Sequence, residues 1–338
     1  MPELRKDLVR NIWVLSATEQ ALDPQYFPIN RNGSYVPVSK ICPFCEGNEA
    51  LTPPEIAAFR EEGTEPDTPG WIVRTVPSKY SAFDMQGEFQ LEGNGLFQHC
   101  NGLGKQEVVI GNTEHNIDLH QYSRDRIELI FRMFQQRYRV LAGDRRIKYI
   151  QIYKNSGLFA GASQEHSHSQ IIALPMVPRY KEIVSDYYQA HGQCLLCTMM
   201  EEEQALKERL VFESEYFILF CPYASRFSYE TWIVPKNHCS HFADISESEL
   251  KDLAFTFKDF LMAMLDSLNN PAYNIVINTA PVNVPYQEGH HWFMEINPRF
   301  IVSNGFEIST GYYTNPVAPE LSASMMRKRM AEPNSINL

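Results

Sequence analysis

Residues 155–172 read NSGLFAGASQEHSHSQII, and residues 291–296 read HWFMEI. In a strand, side chains at i, i+2 and i+4 share one face. His166, His168 and Gln170 therefore line up together, with Ser167 and Ser169 on the opposite side. An isolated His-x-His is as readily a strand edge with two solvated imidazoles. The small residues just upstream favour chemistry: Gly161-Ala-Ser163 can present backbone N–H groups and a hydroxyl to phosphate oxygens. Imidazole can attack phosphorus as a neutral nucleophile, forming a phosphoramidate that a second nucleophile displaces. One ring nitrogen must then be free while the other donates a hydrogen bond that fixes the tautomer. A neighbouring His held on a metal would keep the strand, and so the nucleophile, in place.

Outward from this segment, the second half of the chain echoes the first. Cys42-Pro-Phe-Cys45 is followed by an apolar run, Val108-Val109-Ile110, and then His115. Cys194-Leu-Leu-Cys197 is followed by Thr231-Trp-Ile-Val-Pro235 and then His238. Each His precedes an amphipathic stretch with helical periodicity, Ser123 to Leu141 and Ser246 to about Leu268, the second opening on a Ser246/Glu249 capping box. Each helix gives way to a β-rich run, KYIQIYKN and AYNIVIN, ending at Asn155 and Asn278. His115 to Asn155 and His238 to Asn278 are both 40 residues; His115 to His166 is 51 and His238 to His291 is 53. The Cys45–His115 gap of 70 exceeds the Cys197–His238 gap of 41, so the first copy carries an insertion. The expected architecture is α+β, two tandem units over residues 1–178 and 179–338, each an antiparallel sheet with packed helices. The boundary falls near 178–192, after Pro175 and Pro178, and 61–70 reads as a surface loop.

The 338 residues suit about two domains. With 30 Lys+Arg against 41 Asp+Glu the net charge is −11, and no basic block is present, which argues against nucleic acid or acidic membranes as partners. No apolar run approaches the ~20 residues that span a bilayer. The start, MPELRKDLVR, is charged where a signal peptide would be apolar, so a cytoplasmic location is expected. Seven cysteines is an odd number, against a full disulfide framework; two CxxC pairs with histidines downstream favour zinc. Cys100, Cys221 and Cys239 read as small buried hydrophobes. His99, His120 and His191 read as surface residues, Tyr216–Phe220 as a core strand and Glu201–Glu203 as a solvated helix face.

The HSHSQ segment resembles the active site of the histidine-triad superfamily, in its galactose-1-phosphate uridylyltransferase branch. The likeness extends to RKDLVRNIWVLSATE, CPFCEGNEALTPPEI, WIVRTVPSKYSAF, QEVVIGNTEH and GFEISTGYYTNPVAPE. It implies that His168 is the nucleophile, Gln170 contacts the phosphoryl group, and Asn155, Gly161 and Ser163 lie at the phosphates. It implies a zinc ion on Cys42, Cys45, His115 and His166, and Glu307 on the sugar hydroxyls. A Gln six residues further on, frequent in that branch, is Tyr313 here. HSHSQ followed by ALPMVP and CxxC is closer to plant-type relatives, ADP-glucose phosphorylases, than to the HPHGQ of common bacterial transferases. An iron site found in some transferases would need histidines where this chain has Phe293 and Glu295, and is expected to be absent. The plant-type second zinc matches Cys194, Cys197, His238 and His291, with His290 and His241 as rival fourth ligands.

The repeat supports this separately: aligning His166-Ser-His168-Ser-Gln170 with His291-Trp-Phe293-Met-Glu295 keeps the ligand position and replaces the nucleophile with Phe. The implied reaction is nucleotidyl transfer by double displacement, with a nucleoside-diphosphate sugar as donor and hexose-1-phosphate or phosphate as acceptor. UDP-glucose–hexose-1-phosphate uridylyltransferase is the first reading and ADP-glucose phosphorylase the second. A nucleotide hydrolase and a non-catalytic zinc scaffold are the competing classes. Family members are often dimeric, which makes a homodimer a candidate assembly. The base, the sugar and the acceptor stay open at this point.

Overall fold

The structure, a computed structural model, describes residues 3–7, 12–16, 41–285 and 289–332; part of the opening motif lies outside them. Two helices set the frame. Helix α1 (Arg124–Ala142) starts where the Ser123 hydroxyl accepts the Arg126 N–H, and it buries Ile127, Ile130, Phe131, Phe134, Tyr138 and Leu141. These positions recur at three- and four-residue steps and make one apolar stripe. Helix α4 (Glu247–Ser267) starts 123 residues after α1, and its capping box is formed as expected, with Ser246 N–H donating to Glu249 Oε2 at 2.7 Å. The two helices pack against each other through Phe131 and Phe257, whose rings are 5.5 Å apart.

Both lie on one face of a ten-stranded antiparallel sheet. The first unit supplies β3 (Ala57–Arg60), β4 (Trp71–Pro77), β7 (Lys105–Ile110), β8 (Tyr149–Ser156) and β9 (His168–Leu174). The second supplies β10 (Leu210–Glu213), β11 (Phe217–Phe220), β12 (Thr231–Pro235), β13 (Ala272–Asn278) and β14 (Phe293–Arg299). The order β10-β11-β12-β14-β13-β8-β9-β7-β4-β3 is the same five-strand pattern read outward in both directions from the β8–β13 pair. Two expected sheets are therefore one. Ile150, Ile152, Ile171, Ile275, Ile277, Met294 and Ile296 point to the helices and join a single core; each such side chain contributes about 1.5–3 kcal/mol on burial. The Tyr216–Phe220 stretch is core, as its composition suggests. The insertion in the first copy contains β5 (Leu91–Asn94) and β6 (Phe97–Asn101); β6 pairs with β1 (Glu3–Asp7), which pairs with β2 (Ile12–Ser16), in a separate four-stranded sheet of order β2-β1-β6-β5.

The opposite face of the large sheet carries Gln151, Tyr153, Gln170, Val276, Glu295 and Trp232. Gln170 pairs with Tyr153, Tyr153 with Val276, Val276 with Glu295, and Glu295 with Trp232, one continuous row from β9 to β12. Over the second unit this face is roofed by α2 (Tyr180–His191) and α3 (Leu195–Leu206). Helix α2 occupies the stretch expected as an inter-unit boundary. Its N-cap, Arg179, makes no side-chain capping bond, while its C-terminus ends on left-handed Gly192, whose N–H donates to the Tyr188 carbonyl. Glu203 is also not on a solvated face: it is buried and accepts from Arg209 Nε at 2.9 Å. His120 is half-buried instead of on the surface. Two short helices, α5 (Gly305–Thr310) and α6 (Pro319–Ala331), close the chain.

Candidate active site

Strand β9 begins at His168, so the alternation that places His168 and Gln170 on the open face starts there. His166 lies just outside the strand, in a bend, and turns toward the CxxC pair. Its Nδ1 is 3.6 Å from both Cys42 Sγ and Cys45 Sγ, and its Nε2–H donates to the Asn112 carbonyl at 2.9 Å. His115 Nδ1 is 3.5 Å from Cys45 Sγ. Phe44 N–H donates to Cys42 Sγ, and the Phe44 ring packs against His168 at 5.2 Å. The cysteine turn thus touches both histidines of the motif.

His168 Nδ1–H donates to the His166 carbonyl at 2.8 Å. A carbonyl only accepts, so the proton is on Nδ1 and Nε2 keeps its lone pair. Burial, above all, pushes the His168 pKa down to about 4; Lys154 acts in the same direction and the His166 carbonyl opposes. The ring is neutral at pH 7. Gln170 Oε1 accepts from Gln106 Nε2 at 2.7 Å and Tyr153 OH at 2.9 Å, which orients its amide N–H₂ as the free donor.

The phosphate loop differs from its sequence reading. Gly161 is left-handed at φ +81°, and its N–H donates to Leu158 O while the Ala162 N–H donates to Gly157 O. Those two donors close a tight turn and do not point outward. Ser163 is exposed beside them. Asn155 is held by Asn274, whose Nδ2 donates to Asn155 Oδ1 and to Ala160 O, both at 2.8 Å.

Beneath the strand, Lys154 is fully enclosed. It donates to Ser167 Oγ at 2.6 Å and to the His168 carbonyl at 3.3 Å, and lies 3.7 Å from Asp118. Asp118 accepts from Ser167 Oγ, Ser156 Oγ and Leu119 N–H. Burial would raise the Asp118 pKa, but Lys154 and these donors lower it overall. The sequence reading overlooked this network. Its signal is the strand alternation itself, since the pattern that puts Ile150 and Ile152 in the core puts Lys154 there too.

The second unit gathers Cys194, Cys197, His238 and His291, with ligand atoms within 4.8 Å of one another, as are those of Cys42, Cys45, His115 and His166. His290 instead contacts Ser185 Oγ and His241 contacts Tyr138 OH, so neither rival joins the set. Burial and then the partner cysteine push Cys45 up to about 11 and Cys197 to about 12. Thiolates there need a cation, and the soft sulfur and imidazole donors fit one that prefers such ligands. Glu307 is exposed on α5, its carboxylate accepting the Asn304 N–H at 3.0 Å. It lines a shallow pocket with Arg226 and Tyr313 and is not brought to the HSHSQ strand within the chain.

Comparison with known proteins agrees with this arrangement. The family model for the galactose-1-phosphate uridyl transferase N-terminal domain matches residues 76–178, and that for the C-terminal domain matches residues 180–316. An ADP-glucose phosphorylase of Arabidopsis thaliana is 36% identical, covering 97% of this chain and 93% of the relative. A galactose-1-phosphate uridylyltransferase of Thermotoga maritima is 32% identical, covering 70% and 78%. The crystal structure of an ADP-glucose phosphorylase from Arabidopsis thaliana with bound ADP-glucose superposes with a TM-score of 0.73 at 33% identity, covering 97% of this chain and 99% of that one. The fold and these matches define an enzyme of the nucleotidyltransferase class. More narrowly, the chain belongs to the galactose-1-phosphate uridylyltransferase family. No helix among the described residues is long and apolar enough to cross a membrane.

Replacing Lys154 with Met should leave Asp118 without its cation and the Ser167 hydroxyl without a donor. Because the Asp118 side chain is about a third exposed, the expected loss is about 2 kcal/mol and not the larger cost of a fully buried pair. Urea denaturation measures it, and an unchanged midpoint would refute the bracing role.

Proposed function

We propose that the chain transfers a nucleotidyl group by double displacement through a nucleotidyl-His168 intermediate, from UDP-hexose to a hexose-1-phosphate. In the first step the Nε2 lone pair attacks the α-phosphorus, the bond to the bridging oxygen breaks, and hexose-1-phosphate leaves. In the second, a phosphate oxygen of the acceptor attacks the same phosphorus and the P–N bond breaks. The observation that carries the reading is the Nδ1–H bond to the His166 carbonyl, which leaves Nε2 as the free nucleophile on a neutral ring. The free Gln170 amide would donate to a non-bridging oxygen as charge grows there. Asn155, Gly161 and Ser163 would border the phosphates. In this reading residues 1–178 form the catalytic unit and 179–338 a unit without the nucleophile.

Two zinc ions complete the proposal, one on each Cys₂His₂ set. With Zn–S of ~2.3 Å and Zn–N of ~2.0–2.1 Å, a tetrahedral ion separates sulfur from nitrogen by ~3.6 Å; the four-ligand sets show S–N separations of 3.4 to 3.6 Å. A closed four-ligand shell supplies structure, holding His166 and therefore the carbonyl that orients His168. The ligand thiols call for a reducing compartment, the cytoplasm.

Glu307 would bind sugar hydroxyls in a homodimer, each copy completing the other's site. Its neighbours Phe300, Ile301, Val302, Ile308 and Tyr312 are exposed apolar side chains, the kind of patch that association covers. A second substrate reading, ADP-glucose with phosphate as acceptor, is favoured by the 36% identity to the Arabidopsis phosphorylase and by Tyr313.

Wild-type protein given labelled UDP-glucose should hold about one acid-labile label per chain, and His168→Ala none. Labelling by ADP-glucose alone, with rapid discharge by phosphate, would reverse the substrate order. Metal analysis should return about two zinc ions per chain, falling to about one in Cys197→Ser; a single zinc in the wild type would refute the second set. Inactive His168→Ala and Glu307→Ala chains, co-expressed, should recover about a quarter of wild-type activity, since half the dimers are mixed and each restores one site. No recovery would place Glu307 outside a shared site.

A further inference from the structure

The β8–β13 pairing relates the two units so that each residue of the catalytic strand has a counterpart on the same open face. Phe293 stands for His168, Glu295 for Gln170 and Asn278 for Asn155. In the second unit this face is not filled in. Between it and helices α2 and α3, and reaching Gln151, Tyr153 and Asn155 of the first unit, lies a cavity of about 700 Å³, within the range of small-molecule sites.

Its wall is built for a polar ligand. Asn278 and Asn297 are each only 4% exposed. Tyr180 OH donates to Asn278 Oδ1 at 2.9 Å, yet Asn278 Nδ2, Asn297 Oδ1 and Arg299 Nε have no hydrogen-bond partner. Leaving such a group unsatisfied in the interior costs about 1–3 kcal/mol. Three of them around one cavity mark positions for a ligand's donors and acceptors.

Its charge is unbalanced. Arg226 Nη2 pairs with Glu295 Oε2 at 2.7 Å and with the buried Glu230 Oε1 at 3.0 Å, so it is fully offset by carboxylates. Lys181 is 3% exposed, its ammonium lies 4.9 Å from the Tyr180 ring, and it has no carboxylate within ion-pair distance among the described residues. Burial lowers its pKa to about 8, so it is still a cation at pH 7. Arg299 sits over the Phe227 ring at 4.3 Å, likewise without an acidic partner. Lys181 is therefore a buried cation whose nearest carboxylate, Glu295, is already held by Arg226, and it favours an anion beside it. Along the same wall Trp232 and Phe293 stack with centroids 4.5 Å apart, an apolar surface for the face of a ring.

We propose that this cavity is a second, non-catalytic site that takes a sugar phosphate, with the phosphate toward Lys181 and the Asn278 amide and the hydroxyls toward Glu295 and Asn297. Phe293 at the nucleophile position means that the ligand is bound and not turned over. This holds whichever nucleotide the first unit transfers.

The test is calorimetric titration of the zinc-loaded full chain with glucose 6-phosphate, whose phosphate is not at the anomeric carbon. Binding of about one per chain is expected, equal in the wild type and in His168→Ala, and weakened about tenfold or more by Lys181→Met. Met199→Trp, which narrows the cavity from α3 and leaves every polar group in place, should weaken it as much. Thermal melts show whether each variant is folded. No binding up to ~10 mM, binding in both cavity variants as tight as in the wild type, or loss of binding in His168→Ala would overturn the proposal. Binding of AMP in preference to the sugar phosphate would overturn the ligand class.

Discussion

The antiparallel seam between β8 and β13 is the constraint on which the rest depends. It runs from the Tyr273–Ser156 pair to the Ile277–Ile152 pair. Without it, each unit would end in an exposed strand edge, and the core shared by α1 and α4 would be split. With it, Asn274 of the second unit reaches across to hold Asn155 and the Ala160 carbonyl of the first. The loop that follows Asn155 is therefore positioned by a strand from the other half of the chain.

Across the HSHSQ strand the two faces have opposite characters. In front, His168 is a neutral ring against Phe44. Behind, Lys154, Ser167 and Asp118 form a buried charged network tied to the His168 carbonyl. In the second unit the corresponding positions are Ile277, Trp292 and His241, and Trp292 is wholly buried in the core. The unit that lacks the proposed nucleophile also lacks the charge beneath it. The proposed reactive position in front and the polar brace behind occur together in one unit and are both missing from the other.

Much of this was legible in residue order. Ser123, Ser246 and Glu249 mark their helix starts because capping is a local interaction, and KYIQIYKN and AYNIVIN alternate as half-buried strands must. The two Cys/His sets follow from a repeat that preserves spacing. What escaped was decided by tertiary contact. Helix α2 has no N-terminal side-chain cap to announce its start, only Gly192 at its end. His166 leaves the strand because its ring is drawn to the cysteine turn. Gly161 and Ala162 use their N–H groups within a turn, a choice that composition does not reveal. Glu203 looks like one of three solvated acids until Arg209 folds back upon it.

The Tyr153–Val276 pair lies on the pseudo-dyad, since 123 residues separate these two just as they separate Ser123 from Ser246. At such a point a symmetric dimer of identical units must place a residue opposite its own copy. Two tyrosines facing each other there would crowd, and two valines would leave nothing to reach Gln170. Fusion of the units into one polypeptide lifts that identity requirement, so a large ring and a small branched side chain can share the axis. Tyr153 is then free to lean toward β9 and donate to Gln170. Functional asymmetry in this fold thus starts at the one place where symmetry would have been most strictly enforced, and covalent continuity is what released it.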